Sequence, residues 1–367
     1  MSSVAIPQRK RGLRCHYRPM ILGTAAALLL SMFWLATRYP QLIGKAQHVG
    51  QAVSSMAFSR EVIRLAADAP VWQKILVTAV NWLDTMRVGM SFGVLLGALL
   101  HTTLRYYPLK IGRNLYLNSL KGALIGVPMG VCANCAVPTA CGVTRGHGRV
   151  EVALGFLFSS PNFNPVVVAM TFMALPLAMG VTKYLLILGL IVVVVPVVIG
   201  WLERSAPLIP LTTDPEAGAC SISFGPGEEC TEPFATVFKE LARDFLKNVW
   251  MLLKPTITIM LLASLASAAM LVLIPWSSLL AEPTPLKLLL VSFLAVLMPV
   301  PIALDVMFAA QLQSEGIPAG FVMLFAMTLG TYSIIPSVYL WRDVSKRLSV
   351  ILFTFFVLLG WIVGLIF

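Results

Sequence analysis

Three cysteines that could bind a soft ligand stand close together in the first half of the sequence. Cys132, Cys135 and Cys141 lie within ten residues of one another. Thiolates select Cu(I), Zn(II) and similarly thiophilic species over hard cations, and three sulfurs suit a trigonal site. Buried cysteines also pack as small apolar side chains, and a Cys-x-x-Cys spacing fits redox chemistry. We predict that Cys132 and Cys135 bind a thiophilic species, with Cys141 as an available third thiolate.

The cysteines lie in a stretch where glycine and proline interrupt an apolar segment. Pro138 removes a backbone donor, and the nearby glycines let the chain leave helical geometry. Non-helical backbone at membrane depth persists only where it is buried in protein or lines a cavity. We therefore predict a helix broken at Pro138, a cavity beside the break, and Asn134 among the polar residues of that cavity.

A second interruption, the segment 159–165, combines two prolines with amide and hydroxyl side chains. Pro161 and Pro165 are four residues apart and predict a helix break inside the membrane. The polar residues of such a break either join helices by hydrogen bonds or face a solute. We predict that Ser160, Asn162 and Asn164 face a solute and orient its polar groups.

The second half of the chain carries an interruption with a carboxylate. Pro301 breaks an apolar segment shortly before Asp305, at a position that corresponds to the first break. An ionisable side chain at membrane depth usually marks an ion path or a proton relay. We predict that Asp305 couples ion movement to transport; the alternative is that Asp305 is solvated at the end of a span. The segment 330–336 corresponds to the break at 159–165.

The elements that position these residues are predicted to be membrane-spanning helices. Of the 367 residues, 58% are hydrophobic and 12% are charged, and the mean hydropathy is +0.86. A soluble domain would contain about twice that charged fraction. The composition excludes a soluble globular protein, a disordered chain, a collagen-like fibre and a disulfide-rich secreted scaffold. Because no catalytic triad, Gly-rich phosphate loop or nucleotide motif is present, we expect neither an enzyme nor a cofactor.

The net charge of +11 reflects short basic clusters beside apolar segments. This distribution follows the positive-inside rule, which places the N-terminus in the cytoplasm. It argues against a nucleic-acid partner and leaves the lipid bilayer and a small solute or metal(loid) as the expected partners.

Eight apolar segments are long enough to span a membrane, and one more is ambiguous. They predict an all-α integral membrane protein with about 8–10 transmembrane helices, some of them broken by Pro and Gly. A weak repeat at an offset of about 167–168 residues indicates two pseudo-symmetric halves, and the pattern leaves a parallel and an inverted repeat both open. The segments are 20–37, 78–104, 115–137, 150–175, 179–201, 248–275, 285–304, 317–340 and 348–367.

The segments around Cys132–Pro138 and Ser160–Pro165 resemble a predicted permease family that includes methylarsenite efflux permeases and proposed copper/zinc efflux permeases. The resemblance covers roughly 75–345. The cysteines here are spaced by three residues rather than the two of the family, and the second half lacks a clear Pro-x-x-Asn motif. The resemblance implies a bacterial inner-membrane, multi-pass permease that exports an organoarsenical or a soft metal ion.

On this basis the chain divides into an N-terminal helix with an amphipathic connection, two permease halves, and a polar loop with an interfacial helix between the halves. Two other functions stay open: a membrane thiol–disulfide electron carrier that uses Cys132 and Cys135, and a non-transporting membrane anchor. The oligomeric state is left open by the sequence. The four regions are 1–74, 75–201, 202–247 and 248–367.

Overall fold

The chain folds into a helical bundle. All regular elements of the described residues are helices, so the predicted all-α membrane class is confirmed. The larger parts of the predicted connection and of the predicted polar loop lie outside the described residues. The computed structural model describes residues 17–47, 62–63, 69–107, 112–145, 149–205, 208 and 233–367.

The N-terminal helix continues past its predicted end at residue 37. α1 (Tyr17–Phe33) leads through one π-helical turn (Trp34–Arg38) into α2 (Tyr39–Gln47). A π turn accommodates an extra residue without ending the helix. It carries Arg38 into the bundle, where the sequence predicted the start of a loop. Phe33 stacks on the ring of Phe92, with 3.6 Å between the ring centroids.

The first half contains a long helix, a hairpin of two short helices, a bent helix and a closing helix. The bent helix turns by 48° at its break, where Asn164 caps the second part by accepting a hydrogen bond from the Val166 N–H. The elements are α3 (Val71–Tyr106), the hairpin of α4 (Leu115–Gly126) and α5 (Ala133–Arg145), the bent pair α6 (Val150–Asn162) and α7 (Pro165–Ala174), and α8 (Leu177–Gly189), which runs through a π-helical turn (Leu190–Val194) into α9 (Val195–Glu203).

The second half repeats this order of elements. Thr284, Ser333 and Ser345 cap its helices with their hydroxyl groups, which are preferred acceptors at helix starts. The elements are α10 (Phe234–Leu273), the single turn α11 (Trp276–Leu279), the hairpin of α12 (Pro285–Leu297) and α13 (Leu304–Ser314), the broken pair α14 (Ala319–Thr328) and α15 (Ile334–Tyr339), a π-helical turn (Leu340–Val344), and α16 (Lys346–Ile366).

The hairpin of α4 and α5 enters and leaves the bundle on one face. Asn118 at the start of α4 donates a hydrogen bond to Glu151 at the start of α6 over 2.9 Å, so these helices begin side by side. Gly126 at the end of α4 packs on Phe156 further along α6, so α4 and α6 run parallel. Because α5 ends just before α6 begins, α5 returns to the face from which α4 started.

The hairpin of α12 and α13 enters from the opposite face. The indole N–H of Trp361, near the end of α16, donates to the carbonyl of Pro285 at the start of α12 over 2.9 Å. Gly320 at the start of α14 packs on Gly364, also near the end of α16. α12 and α14 therefore both begin where α16 ends, and α13 returns to that same face.

Ion pairs join the helix ends on the first of these faces, which we call the basic face. They connect the starts of α1 and α10, the ends of α3 and α5, and the turn before α16. The pairs are Arg18–Glu240 at 3.2 Å, Arg105–Asp244 at 3.4 Å and Arg145–Asp343 at 2.6 Å.

The two halves therefore repeat the same elements in opposite orientations. The long helix of the first half ends at the basic face, and its hairpin enters from there. The long helix of the second half starts at the basic face and leads to the opposite face, from which its hairpin enters. The repeat is inverted, an arrangement known from secondary transporters with binding sites between discontinuous helices.

The number of helices that can span a membrane differs from the eight to ten that the sequence predicts. Among the described residues, five helices are long and apolar enough to cross a membrane, or six when α6 and α7 count as one bent span. The apolar segments 115–137 and 285–304 turn back as hairpins instead of crossing. Hydropathy detects their apolar character, but it does not distinguish a crossing from a return to the same face.

Candidate functional site

The breaks of the four discontinuous elements meet inside the bundle. Asn134, at the tip of the first hairpin, donates to the carbonyl of Val300 in the second hairpin over 3.0 Å. The hydroxyl of Ser333, at the break before α15, donates to Asn134 over 2.6 Å. The hydroxyl of Thr331 in that same break donates to Asn162 over 3.3 Å. Hydrogen bonds thus tie the two halves together through their breaks.

Cys132 and Cys135 lie at the tip of the first hairpin. Cys132 directly precedes α5, and its sulfur accepts a hydrogen bond from the backbone N–H of Cys135 over 3.3 Å. The Cys132 sulfur is also 3.9 Å from the sulfur of Met86 on α3. Both cysteines are buried. The structure therefore brings these two thiols together, beside the thioether sulfur of Met86.

The break spans residues 127–132 and includes Cys132, whereas Pro138, where the sequence predicted the break, lies inside α5. Gly130 supplies the turn, because its φ of 57° is a left-handed conformation that side chains disfavour. α3 packs against α5 at Pro138. There Gly97 lets the backbone of α3 approach the Pro138 carbonyl.

The other three predicted break prolines lie at or beside breaks. Pro161 occupies the last turn of α6, and Pro165 is the first residue of α7, where a missing N–H leaves no hydrogen bond unmade. Pro301 lies between α12 and α13. In the second hairpin, Ala303 supplies the left-handed turn that Gly130 supplies in the first. It has a φ of 64° although it is not a glycine.

Cys141 lies apart from the other two cysteines, toward the basic-face end of α5. Its sulfur is 3.9 Å from a carboxylate oxygen of Asp343, which also pairs with Arg145. In the described part of the chain, no three His, Cys, Asp or Glu side chains are arranged to hold a metal ion. The predicted site with three thiolates is not assembled in this arrangement.

The polar residues of the second break have partners with one exception. The hydroxyl oxygen of Ser160 accepts from the Val131 N–H over 3.2 Å, and the Asn162 amide donates to the Phe158 carbonyl over 2.9 Å. Asn164 uses its oxygen as the cap of α7. Its amide nitrogen is buried and finds no hydrogen-bond acceptor among the described residues. This nitrogen lies beside Gly130, at the cysteine tip.

Asp305 forms a buried ion pair that the sequence analysis missed. Its carboxylate is 2.6 Å from the ammonium of Lys183 on α8, and the side chains are 4% and 0% exposed. The alternative that Asp305 is solvated at a span end is thereby excluded. Lys183 was visible in the sequence as a charged residue inside the apolar segment 179–201.

Arg38 is the second charged residue that the sequence analysis missed. Its guanidinium lies over the ring of Phe33, 4.9 Å from the centroid, and the residue is 7% exposed. A point just above Gly89 is 2.9 Å from an Arg38 guanidinium nitrogen and 2.8 Å from the Cys135 sulfur. Arg38 and Cys135 therefore share one small space above α3.

A narrow cleft runs from the basic face between α5, α10 and α15. It has Arg342 and Asp343 at one end and Asn134 at the other, and its cavity volume of about 20 Å³ is room for about one water molecule. Pro138 and Cys141 line it. The residues that do not line it are Cys132, Cys135, Ser160, Asn162 and Asn164, all of which are buried.

Comparison with known proteins identifies the family to which the chain is similar. The sequence model of the ArsP_1 family, described as predicted permease, matches residues 82–367. The UPF0718 protein YraQ of Escherichia coli (strain K12) is 31% identical over 129 residues, which are 35% of this chain and 37% of that protein. The alignment thus spans little more than a third of this relative. No solved structure matches the chain.

The predicted resemblance is confirmed, and the permease relatives indicate a transporter rather than an enzyme. Together with the apolar helices, the match over most of its length shows that this chain is a multi-pass membrane protein that belongs to the ArsP_1 family of predicted permeases.

Proposed function

We propose that this permease exports a small thiophilic solute, an organoarsenical or a soft metal ion, across the bacterial inner membrane. In this proposal Cys132 and Cys135 bind the solute transiently, and Asn162 and Asn164 orient its polar groups. The solute enters from the cytoplasm through the cleft that ends at Asn134.

One observation carries the proposal: the two cysteines lie at the tip of a re-entrant hairpin where the breaks of both inverted halves meet. Transporters with inverted repeats bind their substrates at such a junction, because a small relative movement of the halves exposes it to one face at a time. Thiol sulfur is the side-chain atom that best suits a soft ligand.

The charge of the basic face supports the proposed export. Lys and Arg near the ends of membrane helices are retained in the cytoplasm, and this face collects the basic residues at the ends of several helices. Placing it in the cytoplasm puts the N-terminus and the mouth of the cleft there. A solute taken up through the cleft leaves by the opposite face.

Asp305 and Lys183 supply the ion coupling in this proposal. By position in the helix, Asp305 of α13 corresponds to Asn134 of α5, since each is the second residue of its helix. The second hairpin thus carries a charge where the first carries a cysteine site. Protonation of the Asp305 carboxylate would release Lys183 and loosen the contact between α8 and α13.

The experiment is uptake of thiophilic solutes into everted membrane vesicles. We expect Cys132→Ala with Cys135→Ala to abolish uptake, because both sulfur ligands are lost, while Cys141→Ala retains most of it. Everted vesicles expose the cytoplasmic face, so export appears as accumulation inside them. Unchanged uptake by the double variant would refute the cysteine site, and uptake by right-side-out vesicles alone would refute export.

A thiol–disulfide carrier is the second candidate, because Cys132 and Cys135 lie close together at the start of α5, where the Cys135 N–H donates to the Cys132 sulfur over 3.3 Å. The corresponding residues of the second hairpin are Ala303 and Val306, so this half offers no second redox pair. A carrier would show Cys132 and Cys135 alternating between disulfide and dithiol during turnover. Alkylation of both thiols at every stage of turnover would exclude it.

A further inference from the structure

Met86 places a third sulfur against the cysteine tip. Its thioether sulfur is 3.9 Å from the Cys132 sulfur, and the residue is 1% exposed. Cys135 belongs to the same group, because its backbone N–H donates to the Cys132 sulfur over 3.3 Å. Thiolate and thioether sulfurs are the ligands that soft ions such as Cu(I) prefer. The tip therefore offers three sulfurs, those of Cys132, Cys135 and Met86, and two of them can carry a negative charge.

Arg38 adds a positive charge to the same place. A side chain placed on Gly89, three residues after Met86 on α3, would meet an Arg38 guanidinium nitrogen at 2.9 Å and the Cys135 sulfur at 2.8 Å. Among the described residues, the thiols of Cys135 and Cys132 are the ionisable neighbours of this guanidinium, and no carboxylate forms an ion pair with it. Its Nε atom is buried without an acceptor from the described part of the chain. A positive charge at this depth is costly unless an opposite charge balances it.

The charge of the loaded site differs between the classes of thiophilic solute. Two cysteine thiols that bind a monovalent cation release two protons, and the complex carries one negative charge. When the thiols bind arsenous acid, their protons leave with two displaced hydroxyls as water, and the complex is neutral. A divalent ion between two thiolates is neutral as well. Of these three complexes, the one with the monovalent cation is the one whose charge Arg38 neutralises.

We propose that the three tip sulfurs bind a monovalent soft cation and that Arg38 is the counter-ion of the loaded site. The guanidinium attracts the anionic complex in a buried place, where the attraction is poorly screened. The ring of Phe33, with its centroid 4.9 Å away, holds the guanidinium there by a cation–π contact. This inference rests on the proposed cysteine site and selects the soft metal ion from the two classes of solute proposed for it.

The test is equilibrium dialysis of the purified full-length chain with Ag(I) and with arsenous acid. The buffer is free of chloride and contains glutathione, a competing thiol that brings both affinities into a measurable range. Ag(I) is a monovalent soft cation, whereas arsenous acid yields a neutral complex. Binding at the site is the difference between the wild type and the variant that carries both Cys132→Ala and Cys135→Ala, which removes the contribution of other cysteines.

We expect Met86→Leu to weaken Ag(I) binding by about tenfold, because one sulfur ligand is lost while the size of the side chain is kept. Arsenous acid should bind as before, since a hydroxyl is the third ligand of its arsenic. X-ray absorption at one equivalent of Ag(I) should show two sulfur neighbours instead of three. Met323→Leu is the matched control, because Met323 is fully buried in a separate apolar cluster that contains neither cysteine.

We expect Arg38→Gln to weaken Ag(I) binding by about tenfold or more and to change arsenous acid binding by less than about threefold, because glutamine keeps hydrogen-bond donors but loses the charge. Arg38→Lys should restore most of the Ag(I) affinity, because lysine keeps the charge. Arg87→Gln is the matched control, because Arg87 is on α3 with its side chain 69% exposed and should change neither affinity.

Equal effects of Arg38→Gln on both probes, or no rescue by Arg38→Lys, would overturn the counter-ion. A Met86→Leu variant that matches Met323→Leu in Ag(I) affinity and in sulfur count would overturn the three-sulfur site, and this comparison holds even if Arg38→Gln fails to fold. Each of these results leaves Cys132 and Cys135 in place as ligands. Binding of both probes that the double cysteine variant retains in full would instead refute the proposed cysteine site itself.

Discussion

The pair of Lys183 and Asp305 places two full charges where neither side chain reaches solvent. Their contact of 2.6 Å compensates for desolvation only while both partners are present. A buried pair of this kind is weak evidence for stability but a suitable switch, because removing one charge leaves the other exposed to an apolar environment. The same property makes the pair easy to test.

We expect Asp305→Asn to lower the free energy of unfolding by about 3–5 kcal/mol, since Lys183 is left without its counter-ion. Adding Lys183→Met should restore most of this loss. Thermal melting in detergent measures both effects. The control is Arg87→Met, which breaks an exposed pair with Asp84 and should change stability by less than about 1 kcal/mol. Equal melting of Asp305→Asn and the wild type would contradict the prediction.

Which residues carry chemistry was only partly predictable from the sequence. The adjacency of Cys132 and Cys135 followed from their spacing. The breaks beside Pro161, Pro165 and Pro301 followed from proline, whereas the break predicted at Pro138 lies at 127–132 instead. The partner of Asp305 did not, because Lys183 is 122 residues away along the chain. Arg38 was missed because a charged residue after an apolar run normally ends a span, and only the π turn keeps it inside.

Close helix packing sets the position of the cysteine tip. Gly93 faces the backbone of Cys135 and Gly97 faces that of Pro138, so α3 and α5 run parallel at backbone contact. A side chain at either position would have to displace backbone atoms rather than a flexible side chain. The tip is therefore held at a fixed height against α3.

Gly97→Ala should lower the free energy of unfolding by about 1–3 kcal/mol, because its methyl group overlaps the Pro138 carbonyl and forces the helices apart. Gly23→Ala on α1 is the control: nothing lies within 4 Å of the added methyl group, and alanine favours helix. Thermal melting distinguishes them. A Gly97→Ala variant as stable as the Gly23→Ala variant would show that α3 and α5 are not in tight contact.

At the level of elements, the sequence could predict where the apolar segments lie but not whether each one crosses the membrane or turns back. α4 has 12 residues and α5 has 13, so each helix is too short to cross the membrane alone. Together with the break between them, they form an apolar segment that is long enough to span it. Only the contacts of α4 with α6 and of α5 with α3 reveal that the pair turns back. The inverted repeat, which the sequence left open, follows from this.

Across the whole molecule, the halves are joined at the basic face by Asp343. Its carboxylate accepts from Arg342 and, across the halves, from Arg145 over 2.6 Å. Burial acts to raise the pKa of this carboxyl, but the hydrogen bonds from Arg342 and the charge of Arg145 outweigh it, and the pKa lies below its ordinary value. This contact lies at the basic-face end of the cleft.

A carboxyl with a lowered pKa in the folded state contributes stability above its unfolded pKa of about 3.9, and that contribution is lost as the pH falls through the folded value. The melting temperature of Asp343→Asn should therefore lie below that of the wild type near pH 7, and the gap should narrow below about pH 4. Glu282→Gln, with a side chain that is 78% exposed, is the control. A gap that is constant down to low pH would contradict the prediction.

The length of α10 has a practical consequence. Its 40 residues extend over about 60 Å, roughly twice the hydrocarbon thickness of a bilayer. Its first turns carry charged residues that pair with Arg18 at the start of α1 and Arg105 at the end of α3, and they pack against these two helices at the basic face. A small helical membrane protein offers few landmarks for image alignment. An antibody fragment against the exposed side of these turns would provide one and would mark which way the molecule is inserted.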